Sequence, residues 1–360
     1  MAALAALLAF AAILPSSVLA EPIDTDADID FILDILQKDY AGYETKTTDG
    51  RDAEFREEVA VARNRARDNP AARLWAYAAM LRWFGDDHLG IRSKIVSPDN
   101  PWPDAYSEKR DEHYSPPLAE DFAFERLSDN TVMLRVPNFN LDNMEVFDAL
   151  LNRHHETIIA TPNLLIDLRG NSGGSDLMYE RLMSYLYTRP IYSIGVELRA
   201  TERNLDVLRA NVESGEYPPE AEGFVRNLIE RAQASDAPWV PLSENGFEIT
   251  TYPQIYTMPK RVAILAEGAA SSGDQFAIDA RFSRKVTLLG GPTAGVIDYS
   301  NVITAPAPSG DFDLAWPMTR SMRLPEEPFD NIGVQPDVAY PEGVTDQVQW
   351  AKDWLENFAD

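Results

Sequence analysis

The sequence predicts an α/β fold, with a small N-terminal helical domain over 21–96 and a larger core over 118–360. Two observations lead to this prediction. Before residue 85, polar and apolar residues alternate at helical spacing, whereas after residue 118 short apolar runs alternate with helical patterns. The composition, 45% hydrophobic and 25% charged, is that of a globular chain, and 360 residues can bury a sizeable core.

The N-terminal domain is expected to hold three helices, over 27–39, 52–69 and 71–84. In the last of these, apolar side chains recur every three or four residues and form one buried face: Leu74, Tyr77, Leu81 and Phe84. Residues 97–117 contain five prolines among charged residues, which predicts an irregular, proline-rich linker.

The core alternates strands and helices, and its mainly apolar strands are typical of a buried sheet. The expected elements, in order, are a hairpin of 122–127 and 131–136, a helix over 143–159, a strand over 163–168, a helix over 176–187, a strand over 191–198, an inserted helical segment at about 201–245, a strand over 261–266, a helix from Ser271, strands near 285–289 and 297–304, and a helix over 345–358.

Charge and composition exclude several classes of function. The formal net charge is −26, so the surface repels phosphate backbones, and a nucleic-acid partner is not expected. The chain contains no cysteine, which excludes disulfides, thiol nucleophiles and Cys-ligated metals. Imidazole chemistry is restricted to four histidines: His88, His113, His154 and His155.

The first twenty residues carry no charged side chain and consist mostly of Ala and Leu. The apolar run is short for a membrane span, and Val18 and Ala20 suit the −3 and −1 positions of a cleavage site, which predicts a signal peptide cleaved after Ala20. Since no basic residue precedes the apolar run, a retained anchor stays open as the alternative. No later stretch is apolar and long enough to span a membrane. We therefore expect a periplasmic or secreted protein with no integral membrane segment after signal removal.

The segment Gly170–Gly174 satisfies the G-x-S-x-G pattern, with Ser172 between a predicted strand and a helix. In the fold that uses this pattern the histidine follows the serine, but all four histidines here precede Ser172. Two other roles for the glycines stay open. Their N–H groups can bind an oxyanion, or the turn can need small residues only for packing.

Ser271 also follows an apolar run and opens a predicted helix, where a serine is by default a helix N-cap. Its surroundings resemble a known family. Five segments match, in order, the motifs of the tail-specific, or C-terminal-processing, serine peptidases: Asp86-Asp87-His88, the D-x-R-x-N-x-G-G pattern at 167–174, Ser271 with Asp274 three residues later, the G-x-x-T-x-G pattern at 290–295 and the G-V-x-P-D pattern at 333–337. The resemblance implies a crotonase/ClpP-like ββα core.

The resemblance also separates two mechanisms. Members with a Ser–Lys dyad carry lysine directly after G-x-x-T-x-G, where this chain has Val296, and Lys285 lies earlier, near a predicted strand start. The tricorn-like branch uses histidine as the base and orients it with a carboxylate three residues before the G-V pair. Carried over by position, these residues are His88 and Asp330, the latter one methylene shorter than the usual glutamate.

The resemblance therefore implies a nucleophilic Ser271, a basic His88 and an orienting Asp330. The N–H of Ser272 and those of Gly173 and Gly174 are the expected oxyanion donors. Asp167 and Arg169 are expected to form a structural charge pair, and Asp274 to interact with its helix dipole. No metal or other cofactor is implied.

The predicted function is an exported serine endopeptidase that cleaves peptide or protein substrates through an acyl-enzyme. Between His88 and residue 131 there is no room for the PDZ module that many members carry. Two alternatives stay open, a non-catalytic lipid- or ligand-binding protein on the same core and a serine hydrolase of small esters or cell-wall fragments. The sequence predicts no oligomeric state.

Overall fold

The computed structural model describes residues 24–95, 121–215, 217 and 219–357. The predicted signal peptide at 1–20 and the predicted linker at 97–117 lie outside the described residues. The helices are α1 Thr25–Lys38, α2 Tyr43–Lys46, α3 Arg51–Asp68, α4 Arg73–Arg82, α5 Met144–Ile158, α6 Asp176–Leu186, α7 Glu202–Ser214, α8 Pro219–Gln233, α9 Ser272–Ala280 and α10 Gln347–Asn357, with 3₁₀ turns at Pro70–Ala72 and Leu141–Asn143.

The strands are β1 Gly90–Ser93, β2 Ala123–Arg126, β3 Thr131–Arg135, β4 Asn163–Asp167, β5 Ile191–Ile194, β6 Val196–Arg199, β7 Trp239–Pro241, β8 Phe247–Thr250, β9 Arg261–Leu265, β10 Val286–Gly290, β11 Tyr299–Pro306, β12 Phe312–Ser321 and β13 Val338–Ala339. The predicted α/β fold class is confirmed.

The central sheet has six strands in the order β13-β10-β9-β4-β3-β2, all parallel except β2. Its strands are apolar because helices cover both faces. One face packs against α5, α6 and α9 through residues such as Phe147, Leu182 and Phe276. The other face packs against α10 through Ala351 and Leu355.

A second sheet has the order β1-β12-β6-β7, with β11 also paired to β12, and all its pairs are antiparallel. The N-terminal helices share one apolar core with this sheet, and within it the ring centres of Tyr77 and Phe312 lie 5.8 Å apart. This packing brings the loop between α4 and β1 next to the start of β11. The domain boundaries proposed from the sequence stay a prediction.

One predicted strand, 191–198, is two strands in the structure. Gly195 separates β5, which pairs only with β8, from β6, which joins the second sheet. The ten-residue β12 had no counterpart among the predicted elements. Among the described residues, no helix combines the length and apolar character needed to cross a membrane.

Candidate active site

A cleft of about 710 Å³ collects residues from distant parts of the sequence, including His88, Gly174, Ser271 and Ser272. Strands β4 and β9 are parallel neighbours, so the loops at their carboxyl ends lie side by side. Gly174 lies beyond the end of β4, and Ser271 lies between β9 and α9. His88 lies in the loop between α4 and β1 and lines the cleft on the side of the second sheet.

Ser271 has an unusual backbone conformation, with φ 57° and ψ −117°. A non-glycine residue with positive φ costs on the order of 1–3 kcal/mol and is found where the surrounding structure imposes it, often at functional sites. A strained serine between a strand and a helix is the geometry of a nucleophile elbow, which presents the hydroxyl to substrate. Ser271 therefore differs from an ordinary helix N-cap, and its side chain makes no capping hydrogen bond.

Gly173 and Gly174 allow the neighbouring turn to pack directly against this elbow. A Cβ on Gly173 would lie 2.7 Å from the Cβ of Ser271, and one on Gly174 would lie 2.2 Å from the carbonyl of Phe139. Both glycines also have positive φ, 79° and 143°. This turn therefore requires glycine at both positions, for close packing and for backbone conformation.

The expected oxyanion donors have different partners. The N–H of Ser272 is the first in α9, where no carbonyl of the same helix can accept it. Gly173 donates its N–H to Asn171 Oδ1 at 2.8 Å. Phe139 donates its N–H to Gly173 O and accepts the N–H of Ser175 on its own carbonyl. Gly174 lies between these two residues, so its N–H points away from Phe139. Ser272 and Gly174 are thus the better-placed donors, and Gly173 supports the turn.

Buried polar groups hold the turn in place. Arg169 makes a bidentate pair with Asp167, with both N–O distances 2.7 Å, as the sequence predicts. Asn171 also donates to Val136 O at 2.9 Å and accepts the Ala270 N–H on its own carbonyl. Asn171 therefore links the glycine turn to the segment that carries Ser271, a role that sequence reasoning missed.

Two groups fix His88. Its backbone N–H donates to Asp86 Oδ1 at 2.9 Å, and its Nδ1 lies 2.5 Å from the carbonyl oxygen of Tyr299. A carbonyl only accepts hydrogen bonds, so Nδ1 is the protonated nitrogen of the neutral ring, and in that tautomer the lone pair is on Nε2. His88 is therefore held in the tautomer that a general base needs.

Asp330 does not take the place expected from the resemblance, because the Tyr299 carbonyl occupies the Nδ1 side of His88. Asp330 Oδ1 instead accepts the N–H groups of Ile297 and Asp298, at 3.1 and 2.9 Å, and Oδ2 lies 3.5 Å from Lys46 Nζ. Burial, and then the charge of Asp86, raise the pKa of Asp330 to about 7, while Lys46 lowers it.

Asp274 has a role beyond the one expected. It lies in the first turn of α9, but it is fully buried and accepts the N–H groups of Gly295 and Val296 at 2.9 and 3.0 Å. Burial raises its pKa. Asp274 thus holds the G-x-x-T-x-G turn against the nucleophile helix.

The cleft itself is acidic. Asp176 faces it and accepts a hydrogen bond from the Ser272 side chain. Desolvation, followed by the charges of Asp279, Glu248 and Glu180, raises the pKa of Asp176, although the residue as a whole is exposed to solvent. Four carboxylate side chains therefore line the cleft that contains Ser271: Asp176, Glu180, Glu248 and Asp279.

The alternative catalytic residues lie elsewhere. Ser172 is exposed and is not among the residues that line the cleft. Lys285 Nζ donates to Tyr256 O at 2.6 Å, and burial lowers its pKa. His154 stacks on Phe124, His155 Nδ1 lies 3.0 Å from the Tyr185 hydroxyl, and His113 lies outside the described residues.

Known proteins resemble this chain in family and in fold. The model of peptidase family S41 matches residues 130–340. A search of curated proteins finds no match. Mature CPAF complexed with lactacystin superimposes with a TM-score of 0.62 at 14% identity, over 92% of this chain and 96% of that chain. A putative peptidase from Parabacteroides merdae gives a TM-score of 0.52 at 14% identity, over 92% and 93%.

The two solved structures show the fold, and the family match covers more than half of the chain. The predicted resemblance to the tail-specific serine peptidases is thereby confirmed. The chain belongs to peptidase family S41 and is a serine peptidase.

Proposed function

We propose that this serine peptidase hydrolyses internal peptide bonds through an acyl-enzyme, with Ser271 as the nucleophile and His88 as the general base. One observation carries the proposal. The Tyr299 carbonyl holds the Nδ1 proton of His88, which leaves Nε2 free to accept a proton in the cleft that also contains the strained Ser271.

In the first half of the reaction, Ser271 Oγ attacks the peptide carbonyl carbon while its proton passes to His88 Nε2. The N–H groups of Ser272 and Gly174 stabilise the oxyanion, and the imidazolium then protonates the leaving amine. In the second half, water attacks the acyl-enzyme and gives its proton to His88, and the collapsing intermediate returns that proton to Ser271 Oγ. The enzyme is regenerated, and none of these steps uses a cofactor.

The test is covalent labelling combined with product analysis. A fluorophosphonate should modify Ser271, located by mass spectrometry of the digested protein. An unfolded protein substrate should yield internal fragments. Labelling without any peptide cleavage would favour an esterase, and no labelling would contradict the proposal.

Gly174→Ala is expected to lower kcat/KM by about 10²–10³-fold, the effect of removing one oxyanion donor. The added Cβ meets backbone atoms of Phe139 at 2.2 Å, so the turn must shift and move the Gly174 N–H. The measurement is kcat/KM on one fluorogenic peptide, with thermal unfolding as the check on folding.

Gly215→Ala is the matched control for this substitution. Gly215 also has positive φ, 74°, but a Cβ there meets nothing within 4 Å, and it ends α7 away from the cleft. It should cost about 1–2 kcal/mol of stability and leave kcat/KM unchanged. A Gly174→Ala variant with normal kcat/KM would exclude Gly174 as an oxyanion donor.

We also propose that the protein is exported. The support is the uncharged, Ala- and Leu-rich stretch at 1–20 followed by an acidic chain without cysteine. Sequencing the N-terminus of protein recovered from the periplasm or medium should show Glu21 first, and a cytoplasmic protein that retains Met1 would contradict export.

A further inference from the structure

The segment that holds the base His88 is itself held by hydrogen bonds to Asp330. Tyr299 supplies the carbonyl that binds Nδ1. The two residues before it, Ile297 and Asp298, both donate their N–H groups to Asp330 Oδ1. A single carboxylate oxygen therefore anchors the peptide units that lead directly into the carbonyl on His88.

The anchoring is reciprocal. Asp298 Oδ2 accepts the N–H groups of Phe329 and Asp330, each at 2.8 Å, so two carboxylates clamp 297–298 and 329–330 to each other. Asp298 is 1% exposed and the Asp330 side chain 11% exposed, so neither clamp depends on a flexible surface side chain. Small movements of residue 330 are thus transmitted to the Tyr299 carbonyl.

Lys46 of the N-terminal segment provides the counter-charge. Its Nζ lies 3.5 Å from Asp330 Oδ2, 3.4 Å from Gly85 O and 4.8 Å from the centre of the Tyr299 ring. The third carboxylate in this region, Asp86, accepts the N–H of His88 and the hydroxyl of Tyr40. The charged groups behind His88 are therefore Asp86, Asp298, Asp330 and Lys46.

We propose that Asp330 is a positioning residue that acts on His88 through the backbone of residues 297–299, as an acceptor of two N–H groups. This inference rests on the proposed role of His88 as the base. In this arrangement the tautomer of His88 is set by a neutral carbonyl, and the Asp330 side chain must supply an oxygen at the Oδ1 position. A negative charge on Asp330 is not required for that task.

Substituting Asp330 separates this arrangement from direct orientation by a carboxylate. Asn keeps an oxygen that accepts both N–H groups, so Asp330→Asn should retain kcat within about threefold, since the hydrogen bonds that hold the segment remain. Where a carboxylate itself binds the imidazole, the same change costs about 10⁴-fold because the wrong tautomer is favoured. In Asp330→Asn the amide NH2 group faces the Lys46 ammonium, and both groups are hydrogen-bond donors. The double variant Lys46→Met/Asp330→Asn removes this unfavourable contact and should be at least as active as Asp330→Asn alone.

Asp330→Ala removes the acceptor and should lower kcat by about 10–100-fold, within the range of misplacing a catalytic group, with little change in KM. The second readout is the proton resonance of His88 Nδ1–H. It should be observed at low field in the wild type and in Asp330→Asn, and should be broadened by exchange in Asp330→Ala. If the role of Asp330 were purely structural, Asp330→Ala would have a lower unfolding temperature, but the His88 Nδ1–H resonance of the folded variant would not broaden.

Two results would overturn the proposal. One is a loss of 10³-fold or more in a folded Asp330→Asn variant, and the other is wild-type kcat in Asp330→Ala. If Asp330→Ala does not fold, Asp330→Asn alone decides, because the two arrangements predict losses there that differ by about three orders of magnitude. Failure of the proposed function would appear separately, as no peptide hydrolysis by the wild type while its His88 resonance still reports the hydrogen bond to Tyr299.

Discussion

Ser271→Ala is expected to reduce kcat by about 10⁶-fold, the loss found when a serine hydrolase loses its nucleophile. Ser271 is the residue of this turn that combines a side chain with a positive φ and lines the cleft, whereas the neighbouring Ser272 hydroxyl bonds to Asp176. Backbone conformation there is imposed by packing against Gly173, so the variant should keep its fold. The measurements are kcat on a fluorogenic peptide, fluorophosphonate labelling and the unfolding temperature.

Ser172→Ala is the matched control, because Ser172 is the serine of the G-x-S-x-G segment and also follows a strand of the central sheet. It is exposed, donates its backbone N–H to Pro137 O and is absent from the cleft lining. Its replacement should leave kcat within about twofold, since its side chain meets no substrate. Loss of activity in Ser172→Ala together with an active Ser271→Ala would reverse the assignment.

Much of the core could be predicted from the sequence because its patterns are local. The run at 163–168 is mainly apolar, and it forms β4 at the centre of the sheet. The hairpin β2–β3 and helices α5 and α6 follow equally direct patterns, and their bounds fall within one or two residues of those expected. The signal for the Asp167–Arg169 pair was the family motif.

The second sheet was harder to predict, since its central strand contains Pro317 and its partners are far apart in sequence. β12 pairs with β1, β6 and β11, and residue 317 lies opposite Val302. A proline inside a run argues against a central strand, and the remaining pattern of β12 gave no expected element. Gly195 likewise divides one apolar run between two sheets, a division that depends on tertiary pairing.

In the site, the part that could not be predicted consists of backbone groups. The Tyr299 carbonyl that binds His88 carries no signature in the type of residue at position 299. No residue type in the sequence indicates that the Gly173 N–H donates to Asn171 Oδ1, or that Asp330 accepts backbone N–H groups. Motifs indicate which side chains meet, but hydrogen bonds to the main chain follow only from the fold.

His88→Ala is expected to lower kcat/KM by about 10²–10⁴-fold, the contribution of a positioned general base. The backbone N–H of residue 88 would still donate to Asp86, so the loop should keep its conformation and the unfolding temperature should change little. The vacated ring space opens onto the cleft, so added imidazole should restore part of the rate. The measurement is kcat/KM on the same fluorogenic peptide, with and without imidazole.

Two controls distinguish this base from the alternatives. His155→Ala removes an imidazole that binds the Tyr185 hydroxyl, and Lys285→Ala removes an amine that donates to Tyr256 O, and neither group lines the cleft. Both variants should retain nearly full kcat/KM. A requirement for Lys285 with an active His88→Ala would instead establish a Ser–Lys dyad. We expect the reverse, a large loss in His88→Ala and nearly full activity in Lys285→Ala. The Tyr299 carbonyl imposes on neutral His88 the tautomer in which Nε2 is unprotonated, and His88 lies in the same cleft as Ser271.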